Sequence, residues 1–212
     1  MPKISIVIPT CGDYLDFKRC IESINKYTDM SDKEFVVVAN GSDKELIPYV
    51  KSLGSNFKLI WKDDKVGVAG AFNLGCKEAT GDFIVLINDD LVILEQPKNE
   101  WIDRLLAPFE DEIIGITGHI TRDGITGIQF VISFCMMIRR KLFDSIGYFD
   151  EIFNPYFGED IDFNIRALRA GWKFGYANIN IYHAWETHRA QHPPELLIII
   201  NEKIGILRKR YL

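Results

Sequence analysis

Residues 81–90 read Gly81-Asp82-Phe83-Ile84-Val85-Leu86-Ile87-Asn88-Asp89-Asp90, and this stretch decides the fold. Phe83 to Ile87 is apolar at every position and has the length of a strand. A half-exposed strand would alternate, so the run predicts a central strand covered on both faces, with Gly81 closing the helical segment before it. Asn88, Asp89 and Asp90 follow without a spacer, which puts two carboxylates at the C-terminal end of that strand. Open α/β sheets bind ligands at that edge. Adjacent carboxylate oxygens there suit a hard divalent cation such as Mg²⁺ or Mn²⁺. An isolated Asp-Asp more often caps a turn, so the flanking sequence has to decide between the two readings.

Toward the N-terminus the flanks are βαβ units. Ile4 to Ile8 is a β-branched run stopping at Pro9-Thr10, and after the loop Cys11-Gly12-Asp13 the residues Leu15, Cys20, Ile21 and Ile24 recur at helical spacing. Glu34 to Val38 is a second strand. The turn Asn40-Gly41-Ser42-Asp43 supplies an N-cap for a helix through Leu46 and Val50. Lys58 to Trp61 is a third strand, and the glycine-containing segment Gly67 to Gly75 runs into a helix. Beyond Asp90 the rhythm changes. Trp101 to Phe109 reads as helix, Ile113 to Ile120 and Ile128 to Ile138 as longer strands, and Phe143 to Tyr148 as a short helix closing at Gly147. An aromatic loop, Phe149 to Phe157, leads to a helix opened by Gly158-Glu159-Asp160, with Ile161, Ile165 and Leu168 on one face and Gly171 at its end. Ile179 to Tyr182 is a last strand, and Leu196, Ile200, Ile204, Leu207 and Tyr211 mark a C-terminal helix. The prediction is one domain over 1–212, with a largely parallel half (1–94), a mixed half (95–194) and a terminal helix (195–212).

Composition sets the outer bounds. The chain has 212 residues, 47% hydrophobic and 26% charged, with a net charge of -5, values of a globular protein without a nucleic-acid surface. Its four cysteines have no C-x-x-C spacing, which predicts reduced thiols in a cytoplasmic protein rather than a zinc site. The short N-terminal run Ile4 to Ile8 is neither a signal peptide nor a membrane span.

Four features carry chemistry. They are the Asn88-Asp89-Asp90 corner, the carboxylates of Gly158-Glu159-Asp160-Ile161-Asp162 at a helix start, His183 at a strand tip in Tyr182-His183-Ala184-Trp185, and the Gly67–Gly75 segment. Acidic residues in a first helical turn are favoured by the helix dipole for purely structural reasons. A neutral imidazole, however, is a common partner of carboxylates around a divalent metal. His119, His188 and His192 have weaker contexts. The glycine segment contains neither G-x-G-x-x-G nor G-x-x-x-x-G-K-[ST], against a dinucleotide-binding dehydrogenase or a P-loop kinase.

In order and spacing these motifs resemble family 2 glycosyltransferases, enzymes of the GT-A fold that move a sugar from a nucleotide diphosphate to an acceptor hydroxyl with inversion. The resemblance runs from Ile4-Ser5-Ile6-Val7-Ile8-Pro9-Thr10 to His183, and the segment from Phe149-Asp150-Glu151 to Glu159-Asp160-Ile161-Asp162 is most similar to rhamnosyltransferase-type members. It implies that Pro9, Thr10, Asn40, Asp64, Gly70, Asn73, Asn88 and Asp89 hold the nucleotide-sugar donor. Asp90 and His183 would bind Mn²⁺ or Mg²⁺ on the diphosphate, and Asp160 would be the base, its charge kept by the helix start. Two positions depart from the family pattern. The second strand ends Val38-Ala39-Asn40 where an Asp usually meets a pyrimidine, and Asn88 stands first in the strand-end carboxylate motif.

The resemblance also implies a glycan or lipid-linked acceptor, met by residues 95–157 including Trp101 and the aromatic loop. The helix from Glu195 to Leu212, ending Arg208-Lys209-Arg210, either packs on the domain, the preferred reading, or touches an anionic membrane periphery. The competing functions are a sugar-phosphate nucleotidyltransferase, whose Gly-rich, Arg-containing loop after the first strand is missing, and a non-catalytic sugar-nucleotide or glycan-binding module, which would need no base.

Overall fold

The computed structural model describes residues 3–11, 14–184 and 195–212. Gly12-Asp13, Trp185, His188 and His192 of the sequence reading lie outside them. Four strands, β1 (Ile4–Thr10), β2 (Lys33–Asn40), β3 (Phe57–Lys62) and β4 (Phe83–Ile87), are mutually parallel. Antiparallel β7 (Gln129–Arg139) joins β4 to β6 (Ile114–Arg122), and β8 (Lys173–Tyr176) runs parallel to β6 at the far edge. The resulting order is β3-β2-β1-β4-β7-β6-β8. A separate ribbon pairs β5 (Leu91–Ile93) with β9 (Ile181–His183).

The β4 run is buried at all positions, as its composition requires. Val85 and Ile87 face one core with Ile6, Ile8, Phe35 and Val37, while Ile84 and Leu86 face the other with Val7, Val36 and Val38. The first face is covered by α1 (Tyr14–Tyr27), α2 (Leu46–Ser52) and α4 (Glu100–Leu106). The second carries α3 (Gly67–Glu78), α5 (Lys141–Ile146) and α6 (Glu159–Arg169). Strand order reverses at β1, whose neighbours β2 and β4 lie on opposite sides, so a crevice opens where β1 and β4 end. Thr10 and Asn88 sit at its lip.

Several boundaries differ from the sequence reading for local reasons. β1 continues through Pro9, because pairing to β4 stops at Val7 and a residue without an N–H is tolerated in that edge-like stretch. No side chain caps α2; Asp43 contributes only its carbonyl, to the Leu46 N–H. Gly81 does not end a helix, since α3 stops at Glu78; a Cβ there would lie 2.6 Å from Ser5 N, so the glycine permits close approach to β1. Leu168 is not on the core face of α6: it is exposed, and Phe163 and Ala167 pack inward instead. Trp101 is fully buried and donates its indole N–H to Thr28, which removes it from any acceptor surface.

The C-terminal helix α7 (Glu195–Tyr211) packs against the domain. Leu207 is fully buried among Phe130, Phe153, Ile161 and Ile165. Lys203 Nζ donates to the Ile152 carbonyl at 2.8 Å. Arg210 Nη1 bridges Asp150 at 2.8 Å and Asp162 at 2.6 Å, so the basic end of α7 is partly committed inward, leaving Arg208 and Lys209 exposed. Among the described residues no helix is long and apolar enough to cross a membrane.

Gly75 is where α3 meets the sheet: a Cβ would stand 2.2 Å from Val7 Cγ1 and 3.2 Å from Val38 Cγ2. Gly75→Ala adds helix propensity worth about 1 kcal/mol, but overpacking a buried contact costs about 1–3 kcal/mol. The substitution is expected to lower the urea midpoint; an unchanged or raised midpoint would show that the sheet yields freely under α3.

Candidate active site

The C-terminal ends of β1, β4 and β7 converge with β9, and a bulge in β7 organises them. Gly118 of β6 pairs with Met136, yet Ile120 pairs with Val131, so residues 132–135 of β7 stand against a single residue of β6, while Cys135 still pairs with Ile87 of β4. Gly118 has φ +155, and a Cβ there would lie 2.7 Å from Val131 Cγ1 and 2.8 Å from the Cys135 carbonyl. Bulges of this kind re-aim side chains beside active sites. Here two successive residues, Ser133 and Phe134, reach two different clusters.

The first cluster is Asn88, Asp90 and His183. Pairing of Leu91 with His183 in the β5–β9 ribbon brings the histidine beside the β4 corner. His183 Nε2 lies 3.2 Å from Asp90 Oδ1 and 3.5 Å from Asn88 Nδ2, and the Phe134 ring stacks on the imidazole at 4.8 Å and 26°. Asn88 itself is fixed by its N–H on the Phe134 carbonyl at 3.0 Å and by the Cys20 thiol on its own carbonyl. Asp89 points elsewhere, accepting from Cys11 N at 3.4 Å. Its carboxyl is pushed up to about 6, chiefly by burial, and the charge of Asp90 adds to the rise while the Cys11 N–H works against it. The two carboxylates of the motif therefore face different ways.

A divalent cation fits the Asp90–His183 pair. In the tautomer with the proton on Nδ1, Nε2 would accept from Asn88 and turn its lone pair to Asp90 Oδ1, an oxygen buried without a conventional hydrogen bond. Two electron-rich atoms thus converge, an oxygen and an imidazole nitrogen that suit Mn²⁺ or Mg²⁺. Among the described residues no group of three or more His, Cys, Asp or Glu side chains forms a closed metal cage. A cation at this pair would draw its remaining ligands from elsewhere, as expected of one shared with a phosphate-bearing ligand.

The second cluster is Glu159 and Asp160 at the start of α6. Asp160 Oδ1 accepts from Ile161 N at 2.8 Å and Oδ2 from Ser133 N at 3.3 Å. Glu159 turns inward, its Oε1 3.5 Å from Ser133 Oγ and its Oε2 buried without a partner. Asp160, pushed up to about 6, keeps most of its charge at neutral pH, and it does so against burial. Burial pushes both carboxyls above the ordinary range, and their mutual repulsion adds to the rise at Glu159, outweighing the N–H donors. Asp162, from the same motif, belongs to neither cluster. It is fully buried and holds Arg166 Nε at 2.7 Å, Arg210 at 2.6 Å and the Tyr211 hydroxyl, tying α6 to α7.

The remaining candidates separate into open and occupied positions. Pro9 and Thr10 end β1 at the crevice, Pro9 half-buried and Thr10 buried with its Oγ1 unpartnered, and Asp64 is exposed after β3. Asn40 is buried and uses both ends of its amide on the start of α3, accepting from Val66 N at 2.6 Å and donating to the Gly67 carbonyl at 3.4 Å. Asn73 is likewise a strut, bonded to both backbone groups of Phe149 and to Glu151. Gly70 N donates to Asn154 Oδ1 at 3.4 Å, so the loop before α6 lies over the start of α3.

The sequence reading missed Ser133, Phe134 and Asn164. Asn164 accepts from Val131 N at 2.9 Å and donates to the Val131 carbonyl at 3.0 Å, clipping β7 to α6 beside the bulge.

With this geometry in place, the comparisons with known proteins are specific. The family model for Glycosyl transferase family 2 matches residues 5–127, more than half of the chain. The chain belongs to that family. Glycosyltransferase AglE of Haloferax volcanii is 20% identical over 204 residues, covering 84% of this chain; the chain spans 65% of that relative's length. Among solved structures, GalNAc-T7 with UDP, GalNAc and Mn²⁺ superposes with a TM-score of 0.73 at 16% identity, over 86% of this chain and 43% of that one. The mannosyltransferase PcManGT from Pyrobaculum calidifontis, in complex with GDP-Man and Mn²⁺, gives 0.69 at 17% identity, over 96% and 69%. The family 2 chain thus has the GT-A fold.

Glu159 gives a pH test. A carboxyl whose folded pKa is raised binds more protons in the native than in the unfolded chain, so stability falls as pH rises from the ordinary carboxylate range through the folded value. Between pH 5 and pH 8 the wild type should therefore lose more stability in urea than Glu159→Gln, by at least about 1.4 kcal/mol, the equivalent of one pKa unit. Equal losses would show that Glu159 is ionised and solvated throughout that range.

Proposed function

We propose that this family 2 chain transfers a hexose or deoxyhexose from a nucleoside-diphosphate sugar to a hydroxyl of a glycan or lipid-linked glycan, with inversion and with Mn²⁺ or Mg²⁺ on the diphosphate. The observation that carries the reading is the β7 bulge, where Phe134 stacks on the Asp90–His183 pair and Ser133 holds the Glu159–Asp160 pair. A cation-binding pair and an acid–base pair on adjacent residues are what displacement of a diphosphate by a hydroxyl needs. The ligands named with GalNAc-T7 and PcManGT, a nucleotide or nucleotide sugar with Mn²⁺, support the same donor class.

Asp90 and His183 would hold the cation, which supplies charge stabilisation at the departing diphosphate when bound. Asp160, fixed by two backbone N–H groups, accepts the acceptor's hydroxyl proton as the new C–O bond forms at the anomeric carbon. The bond from that carbon to the diphosphate breaks, and its electron pair leaves with the nucleoside diphosphate. A single displacement inverts the centre, so an α-linked donor gives a β-linked product. Burial suits Asp160 to this task, because a base with its pKa moved toward neutrality takes up a proton more readily than an ordinary aspartate.

Asp160→Asn should keep the Mn²⁺-dependent thermal shift given by the donor while transfer falls by about 10² to 10⁴; near-native turnover would remove Asp160 as base. In the wild type the rate should decline as pH falls below neutrality, earlier than a carboxyl at about 3.9 would impose. Asp90→Ala should abolish the Mn²⁺-dependent part of the donor shift, and calorimetric affinity equal to wild type would sink the metal assignment. Retained anomeric configuration by NMR would overturn single displacement.

A further inference from the structure

Rings continue outward from the His183 imidazole along the sheet edge. Phe134 stacks on it at 4.8 Å, His119 lies 6.4 Å from Phe134 at 29°, and Tyr176 lies 6.3 Å from His119 at 57°. β6 and β8 run in the direction of β4, since each of β4 and β6 is antiparallel to β7 and β8 is parallel to β6. Their C-terminal portions therefore carry His119 and Tyr176 to the edge that bears Asn88 and Asp90. His119 is exposed and Tyr176 is 57% exposed, although the core reaches neighbouring Phe174. The donor-side positions Pro9, Thr10 and Asp64 belong to β1 and the end of β3, across β4 from this row.

We propose that Tyr176, His119 and Phe134 form a stacking strip for the saccharide portion of the acceptor. The inference rests on the function proposed above and adds where the acceptor lies and what it is made of. An acceptor hydroxyl must come within hydrogen-bond reach of Asp160. Asp160 is bound to Ser133, and the next residue is Phe134, so the inner end of the strip stands one residue along β7 from the contact that holds the base. Pyranose rings present apolar C–H faces that pack on aromatic rings and hydroxyls at their rims. The phenol of Tyr176 and the imidazole of His119 offer both an apolar body and a polar edge for such a ligand. Of the other aromatic candidates, Trp101, Phe149 and Phe153 are buried in the core, and Tyr156 and Phe157 are half-buried.

The test uses the whole chain with Mn²⁺ and UDP or GDP, and trisaccharides of glucose, mannose, galactose and N-acetylglucosamine as probes. Saturation-transfer NMR should detect at least one trisaccharide. Its affinity should fall roughly tenfold or more in the Tyr176→Ala, His119→Ala double variant, as loss of aromatic contacts requires, while Tyr176→Phe keeps most of it. The Mn²⁺-dependent thermal shift given by the nucleotide should persist in both variants, showing that they fold and hold the donor side. Nucleotide binding with no trisaccharide bound, or trisaccharide affinity unchanged in the double variant, overturns the strip alone. If no Mn²⁺-dependent nucleotide binding is seen even in the wild type, the functional reading itself fails and the strip falls with it.

Discussion

The bulge of β7 opposite Gly118 is the constraint on which the site depends. A strand that sets several residues against one leaves ladder groups without their regular partners, and a buried unpaired backbone group costs about 1–3 kcal/mol. In this protein α6 supplies partners: Asn164 takes both backbone groups of Val131, and the Asp160 carboxylate takes the Ser133 N–H. The repair of the sheet and the placement of a candidate base are thus the same set of hydrogen bonds. A substitution that straightened β7 would cost α6 its anchor and also withdraw Phe134 from His183.

The helix that carries Asp160 is held from behind by charge. Asp162, two residues on, is buried and satisfied by Arg166, Arg210 and Tyr211, and Arg210 reaches Asp150 in the loop before α6. Removing one member of such a network is costly, because a buried ion left without its partner is far worse than the pair is good. This explains why α7 ends in basic residues without needing an anionic surface for all of them. The three carboxylates of the first turn of α6 therefore serve opposite ends: Asp162 is paired and structural, whereas Asp160 and Glu159 are kept short of full compensation, which raises their proton affinity.

The site shares its sheet with the core, and the two demands separate cleanly along each strand. In β4 the residues from Phe83 to Ile87 serve packing alone, and polarity begins at Asn88, where the strand leaves the cover of helices on both faces. The same division holds in β1, with Ile4 to Ile8 buried and Pro9 and Thr10 at the crevice. Rigidity comes from the packed part and chemistry from the tip, the usual arrangement at a switch point of an α/β sheet.

By itself the sequence determined what local pattern and composition control. The apolar run Phe83 to Ile87, the β-branched run from Ile4 and the helical spacing from Leu15 to Ile24 each carry their own period, and each forms the element that its period predicts. The polar tips Asn88, Asp90, Asp160 and His183 were legible because they interrupt such patterns at element ends. Tertiary structure alone decided which of them meet. β5 has three residues and no period to read, yet its ladder with β9 sets His183 against Asp90. Asn40 and Asn73 read as donor-binding residues, but their amides are bonded to backbone, and Asp162 of the α6 motif is held by Arg166 one turn on and by Arg210 of α7. Ser133 and Phe134 have no signature at all, since a bulge is a property of two paired strands, and which residue faces a site is fixed by register and not by residue type.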